Sequence, residues 1–258
     1  MMEDVHIPFP SFRQHMFRLP DRKDENRGFD MNSGFGAVIV AAGKGSRMGT
    51  RESKQFLQIG GKPIVVQTMD IFNRLSWLNE IVLVTGRDDV DRCRAWVRDY
   101  GLDKVSAVIP GGRERQESVY LGIKQMNTEW VMIHDGVRPF VTHEEIVTCR
   151  ETAIREGAAV LGVPVKDTVK QVNGQGLITG TPDRQSLWAV QTPQAFRLSE
   201  LLNAHETALR DGFQGTDDAM LLERIGRPVA VAEGKYSNIK ITTPEDLEYA
   251  AFLKYKKT

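Results

Sequence analysis

An excess of charge of either sign is missing: Lys plus Arg and Asp plus Glu both number 34, for a formal net charge of +0. That balance excludes a general nucleic-acid binder, so any attraction for phosphate must be local. Long hydrophobic runs are missing as well. No stretch approaches the length of a membrane helix, and the first residues carry no continuous apolar core of a signal peptide. The expectation is a cytoplasmic protein without membrane or nucleic-acid partners. Cysteine is scarce: Cys93 and Cys149 both fall in expected helices and read as reduced structural thiols. No Cys/His grouping has zinc spacing. What remains is ordinary, 41% hydrophobic and 26% charged over 258 residues, which permits one large domain or two small ones.

Two common glycine-rich fingerprints are also lacking. The dinucleotide pattern G-x-G-x-x-G needs a glycine where Met48 stands, and Gly43-Lys44-Gly45-Ser46 lacks the four-residue gap of a P-loop. Yet the stretch Ala41-Ala42-Gly43-Lys44-Gly45-Ser46-Arg47-Met48-Gly49 follows an apolar run, residues 37–40, that reads as a buried strand. Its glycines free the backbone to turn tightly and bring N–H groups close to a ligand. Lys44, Arg47, Arg51 and Lys54 add cationic side chains. Backbone N–H groups and cations after a buried strand suit a polyphosphate cradle.

From Phe35 onward, short apolar runs at 37–40, 81–84, 105–109, 130–133 and 158–163 alternate with helical patterns at 63–75, 89–100, 114–126 and 144–155. That rhythm predicts an α/β fold: a Rossmann-like, mostly parallel sheet with helices on both faces. Ligands then bind beyond the carboxyl ends of the strands, where the cradle, Gly111-Gly112 and His134-Asp135 converge. The rhythm breaks at Pro164. Asn173-Gly174 between β-prone segments predicts a hairpin within the excursion of about residues 164–187. Helices are expected at 198–210 and 217–225, strands at 228–231 and 239–241, and a final helix capped by Thr243-Pro244. Residues 1–34 show no clean periodicity and read as a disordered extension, or as sequence upstream of a start at Met31.

The cradle followed by Lys54-Gln55-Phe56 resembles the sugar-phosphate nucleotidyltransferases. The motifs His134-Asp135-Gly136-Val137-Arg138-Pro139-Phe140, Val163–Thr168, Trp188–Phe196 and Asn238–Thr242 follow in order. Together they resemble the cytidylyltransferases acting on methylerythritol 4-phosphate in non-mevalonate isoprenoid synthesis, over about residues 35–252. That resemblance implies CTP and a sugar-alcohol phosphate as substrates, Mg²⁺ as the cofactor, and a homodimer whose arms hook the partner subunit. It implies catalytic roles for Arg47, Lys54, Arg184 and Lys240. Nucleotide contacts would come from Ala41, Ala42, Gly43, Gly45, Ser46, Gly111, Gly112, Arg115, Ser118, Asp135 and Gly136. Arg138, Thr168, Arg184, Thr192 and Lys240 would receive the sugar phosphate. Asp135 would be the metal ligand; Asn238 could share the metal, while Thr216 and Asp217 could line the site. Ribitol 5-phosphate as the acceptor, or a catalytically silent nucleotide-binding regulator, are the alternatives on the same fold.

Overall fold

Strand β1 (Phe35–Ala41) illustrates how this sequence folds. Phe35, Ala37, Ile39 and Ala41 point to one face, and Val38 and Val40 to the other. Both sets are packed, as residues 37–41, apolar at every position, require. The computed structural model describes residues 34–43 and 52–256, within a compact unit spanning Asn32–Thr258. The expectations for the N-terminal extension (apart from Gly34) and for Lys44, Gly45, Ser46, Arg47 and Arg51 lie outside the described residues.

After β1 come β2 (Gln58–Ile59), β3 (Lys62–Pro63) and α1 (Ile64–Asn73), then β4 (Leu78–Thr85), α2 (Val90–Asp99), β5 (Val105–Pro110) and α3 (Arg115–Ile123). Next are β6 (Trp130–Asp135), α4 (His143–Glu156), β7 (Ala158–Pro164), β8 (Gln171–Val172), β9 (Ile178–Gly180) and β10 (Trp188–Arg197). The chain closes with α5 (Leu198–Arg210), α6 (Asp218–Arg224), β11 (Ala230–Glu233) and α7 (Pro244–Lys256). The main sheet has seven strands in the order β11-β7-β10-β6-β1-β4-β5. Its pairings are parallel except at β10, which runs antiparallel to β6 and β7. Helices α1, α2 and α4 pack one face, and α3, α5 and α6 the other. A smaller apolar cluster joins α7 to β2, α1 and the segment after β6, through Ile59, Ile64, Val137, Phe140, Ile241 and Ala250.

Helix limits follow local chemistry. Thr142 and Glu145 form a reciprocal capping box at the start of α4, and Gly157 ends it at φ 96°. Asp217 caps α6 by accepting from the Met220 N–H at 3.0 Å. Both cysteines lie in helices, buried and unpaired, and burial pushes the Cys149 thiol up to about 12. Among the described residues, no helix is long and apolar enough to cross a membrane.

Three expectations need correction. Residues 239–241 do not form a strand. Their apolar side chains are there to pack against α7 and Val137, and the Ile241 N–H finds its partner in the Val137 carbonyl at 3.0 Å. Second, β10 is a full strand that the sequence rhythm did not announce. Pro193 sits inside it, and the register shifts between Val190 and Gln194, so the pattern is broken where the strand is irregular. Third, β8 and β9 do form a two-stranded hairpin, but not around a two-residue Asn-Gly turn. Gly176 is the residue with positive φ, at 80°. The Asn173 side chain accepts from the Gln175 and Leu177 N–H groups at 3.0 Å each. The hairpin stands in its own sheet, with Val172, Leu177 and Ile178 59%, 62% and 64% exposed.

Candidate active site

The carboxyl ends of β1, β5 and β6 open onto one crevice, and antiparallel β10 brings its first half to the same edge. One wall of the crevice carries Ala41, Ala42, Gly43, Lys54, Gly112, Arg115, Ser118, Asp135 and Lys240. An adjoining recess carries Arg138, Thr192, Thr216 and Asp217, sharing Arg115, Asp135 and Lys240. Convergence at the strand ends is therefore as expected for these residues. Thr168 and Arg184 are different. Both are exposed on the arm and border neither recess; Arg184 donates to the Lys166 carbonyl at 2.8 Å.

Backbone approach in the crevice depends on missing side chains. A Cβ on Gly111 would stand 2.4 Å from the Ala42 Cβ and 2.7 Å from Ser118 Oγ. On Gly136 it would stand 2.9 Å from the Ala41 Cβ. Both glycines let neighbouring strand ends close on each other. Ser118 is buried in the first turns of α3 and shapes the loop before it: its hydroxyl accepts from the Gly112 N–H at 3.1 Å and donates to the Glu114 carbonyl at 3.0 Å. One acceptor lone pair is left over. Gln55, whose role the motif alone did not reveal, is 2% exposed and donates to the Ala41 and Gly43 carbonyls at 2.8 and 3.1 Å. It ties the chain after the glycine-rich stretch to the chain before it. Lys54, on the adjacent half-buried turn, faces the crevice.

Asp135 is the electrostatic centre. Its Oδ2 lies 2.9 Å from Lys240 Nζ and 3.5 Å from Arg138 Nε, and its Oδ1 lies 3.4 Å from Arg115 Nε. Burial alone would raise the Asp135 pKa, but the charges of Lys240, Arg115 and Arg138 outweigh it and hold the carboxyl well below the usual range. Its backbone is pinned too: the N–H donates to Thr192 Oγ1 at 3.1 Å. The Thr192 hydroxyl also meets His134 Nδ1 at 3.1 Å, so it is committed to positioning while the residue borders the recess. His134 is buried, its Nε2 3.2 Å from the Arg138 carbonyl; burial pushes its pKa down to about 4 and keeps it neutral.

Lys240 reaches Asp135 because its loop is clamped from below. Buried Asn238 donates through Nδ2 to the Thr192 carbonyl at 2.9 Å and to Gln191 Oε1 at 3.2 Å, and its own carbonyl accepts from Arg138 Nη1 at 2.7 Å. Asn238 thus serves the loop. As for a divalent cation, no cluster of three or more His, Cys, Asp or Glu exists among the described residues. Glu114, Asp135 and Asp217 border the crevice and its recess without clustering, Asp217 is committed to capping α6, and Asp135 is already faced by cations. That donor set does not make a cage for a bare ion. It suits Mg²⁺ arriving with phosphates, which characteristically takes one or two carboxylates and keeps phosphate oxygens as its other ligands.

The sequence and the fold have close counterparts among known proteins. The family model described as 2-C-methyl-D-erythritol 4-phosphate cytidylyltransferase matches residues 35–255. A protein of that name from Desulforamulus reducens is 49% identical over 222 residues, covering 84% of this chain and 95% of its own. Another, from Geobacillus kaustophilus, is 48% identical over 215 residues, covering 83% and 94%. The solved 4-diphosphocytidyl-2C-methyl-D-erythritol synthase of Anaerococcus prevotii superposes with a TM-score of 0.78 at 32% identity, covering 88% of this chain and 98% of that one. The cytidylyltransferase from Thermus thermophilus gives 0.70 at 32% identity, covering 85% and 98%. The family model spans residues 35–255, and sequence and overall fold agree over most of the chain, which belongs to the 2-C-methyl-D-erythritol 4-phosphate cytidylyltransferase family.

Proposed function

We propose that this chain catalyses cytidylyl transfer from CTP to 2-C-methyl-D-erythritol 4-phosphate, yielding 4-diphosphocytidyl-2-C-methyl-D-erythritol and pyrophosphate for isoprenoid precursor synthesis. The observation that carries this reading is the crevice itself: Arg115, Arg138 and Lys240 gathered around Asp135, with Lys54 on the same wall, in a family member. An oxygen of the sugar phosphate attacks the α-phosphorus of CTP. The bond from that phosphorus to the oxygen bridging to the β-phosphate breaks, and pyrophosphate leaves. The nucleophile is already anionic, so no general base is needed. What the protein must do is hold two anions together and stabilise the charge on the reacting phosphoryl group.

Lys54 and Lys240, with Arg47 from the glycine-rich stretch, supply that stabilisation. Gly43 and its neighbours offer backbone N–H groups to the phosphates; Ala41, Ala42, Gly111, Gly112, Arg115, Ser118 and Gly136 frame the nucleoside. Mg²⁺ would be held by Asp135 and the triphosphate, and when bound it neutralises phosphate charge. Arg138, Thr192 and Lys240 shape the recess that takes the sugar phosphate. The unpaired thiols of Cys93 and Cys149 suit a reducing cytoplasm.

The arm belongs to a homodimer. A free two-stranded hairpin is marginal in water, and this one exposes Val172, Leu177 and Ile178. Hooked over a partner, it would bury them and carry Thr168 and Arg184 into the partner's crevice. That placement accounts for why neither residue lines the crevice of its own chain. The test of the whole reading is pyrophosphate release across a panel of nucleotides and sugar-alcohol phosphates. CTP with methylerythritol 4-phosphate and Mg²⁺ should turn over fastest. Faster turnover with ribitol 5-phosphate would overturn the acceptor, and full activity in EDTA would overturn the metal.

A further inference from the structure

Arg115 is held between two carboxylates, and one of them does not face the crevice. Its Nε lies 3.4 Å from Asp135 Oδ1, whereas its Nη1 donates to Asp218 Oδ2 at 2.7 Å. The shorter contact is the one to Asp218, which is 1% exposed and borders neither recess. The other oxygen of Asp218 lies 3.2 Å from His205 Nε2. The His205 ring, also buried, stacks on Tyr120 with centroids 5.9 Å apart and planes 17° from parallel. A line of polar contacts therefore runs from Asp135 through half-buried Arg115 to buried Asp218 and His205, joining β6, α3, α6 and α5.

A carboxylate is costly in the interior unless it is paired, and a packed apolar residue would serve stability as well. Asp218 stays charged there: burial would raise its pKa, but the Arg115 charge and the His205 hydrogen bond bring it below the usual range. Its effect on Arg115 is geometric. The guanidinium is a planar fork that engages two acceptors at once. With Asp218 holding the Nη1 end, the group stands against the crevice wall and reaches Asp135 with Nε alone. Without Asp218, Asp135 would be the remaining carboxylate in reach. Arg115 would then close onto it, crowding Lys240 and filling the space a nucleotide needs.

We propose that Asp218, oriented by His205, is a positioning residue that holds Arg115 open for the nucleotide. The inference rests on the reading of the crevice as a CTP site. CTP titrated calorimetrically into the full chain with Mg²⁺ tests both, and they separate cleanly. Absence of CTP binding by the wild-type chain would overturn the nucleotide reading and this inference with it. Given wild-type binding, Asp218→Asn should weaken Kd for CTP about tenfold, the scale of one charge-assisted contact. In an Arg115→Met background the same substitution should change Kd less than about twofold, since the lesion acts through Arg115. The melting temperature should respond with opposite signs: Asp218→Asn lowers it in the wild type, yet raises it beside Arg115→Met, where it relieves a buried unpaired charge. A purely structural Asp218 would weaken CTP binding by the same factor in both backgrounds, and that result overturns the proposal. So does an unchanged Kd for Asp218→Asn in the wild type. Should Asp218→Asn fail to fold, His205→Asn removes the far contact, with the ring stacked on Tyr120, and leaves Asp218 and Arg115 themselves in place. It should raise Kd about threefold, again only while Arg115 is present; equal effects with and without Arg115 overturn the proposal in the same way.

Discussion

Replacing Asp135 by Asn keeps the shape of the side chain and removes the charge on which the crevice cations converge. Removing one partner of a buried ionic group costs about 3–5 kcal/mol when the others are stranded. Here two of them are not stranded. Arg115 keeps Asp218 at 2.7 Å, and Lys240, 39% exposed, can swing into water, where its contact is worth little. Arg138 bears the loss: its side chain is 11% exposed, and what remains to it is the hydrogen bond to the Asn238 carbonyl. About 2 kcal/mol is then the expected destabilisation. For a folded region of this size that is a fall in melting temperature of roughly 4–8 °C.

The sign of the pH effect follows from the depressed pKa. The Asp135 carboxyl lies lower in the fold than its unfolded value of about 3.9, so its stabilisation is complete above that pH and is lost as pH falls through the folded value. The gap between wild type and Asp135→Asn should be constant from about pH 5 to 8 and close on acidification below about pH 4. Anions give the complementary readout. In EDTA, pyrophosphate should raise the melting temperature of Asp135→Asn more than that of the wild type, because the cations there have lost their internal counter-charge. Scanning calorimetry across pH, with and without pyrophosphate, measures all of this. An unchanged melting temperature, or equal pyrophosphate responses, would refute the view that this carboxylate organises the cations.

Other substitutions address the remaining parts of the site. Lys54→Ala should lower kcat by roughly 10²–10³ with the fold intact, the scale for one preorganised charge-stabilising group; a change confined to KM would mean that Lys54 binds ground state and transition state alike. Gly111→Ala would put a Cβ 2.4 Å from that of Ala42, so the strand ends must separate, at about 1–3 kcal/mol of overpacking. A raised KM for CTP with a lower melting temperature is expected, and normal values for both would show that the loop yields freely. Crossed arms can be tested by unfolding, mixing and refolding Lys54→Ala and Arg184→Ala chains: about half the dimers are mixed and about a quarter of all sites should recover. Activity at the homodimer background, with mixed dimers confirmed by mass, would place Arg184 in its own chain's site.

The elements most legible in the sequence were those whose pattern had a single cause. The middles of β1, β4 and β6 are buried on both faces, so residues 37–40, 81–84 and 130–133 are apolar at every position, and α5 was bounded correctly at Leu198 and Arg210. Legibility failed where one pattern had two possible causes. Ile239 and Ile241 on either side of Lys240 alternate as a strand would, but they serve a side-chain cluster under α7. In β10, Pro193 and the irregular register hide a strand that pairing on both sides sustains. Asn173-Gly174 announced a turn correctly, yet the side chain of Asn173 and the φ of Gly176 decide its form.

The same distinction divides the crevice. Asp135, Lys54 and Lys240 were legible because each sits in a local motif, and Asp135 ends β6, where a parallel sheet collects its ligands. Asp218 was not, and no local pattern could have exposed it. Its neighbour Asp217 explains the helix cap, and the contact that gives Asp218 meaning spans 103 positions to Arg115. Gln55 is an intermediate case: it stands inside a recognisable motif, but its purpose shows only in the carbonyls it holds. Residues that touch ligand are constrained by chemistry that a motif can carry. Residues that hold them in place are constrained by whichever element packs behind, which depends on the order of the whole sheet. Gln55, Asn238 and Asp218 are all of this second kind. They are therefore where substitutions should alter binding and turnover without touching a reacting atom, and the paired backgrounds proposed for Asp218 measure that property directly.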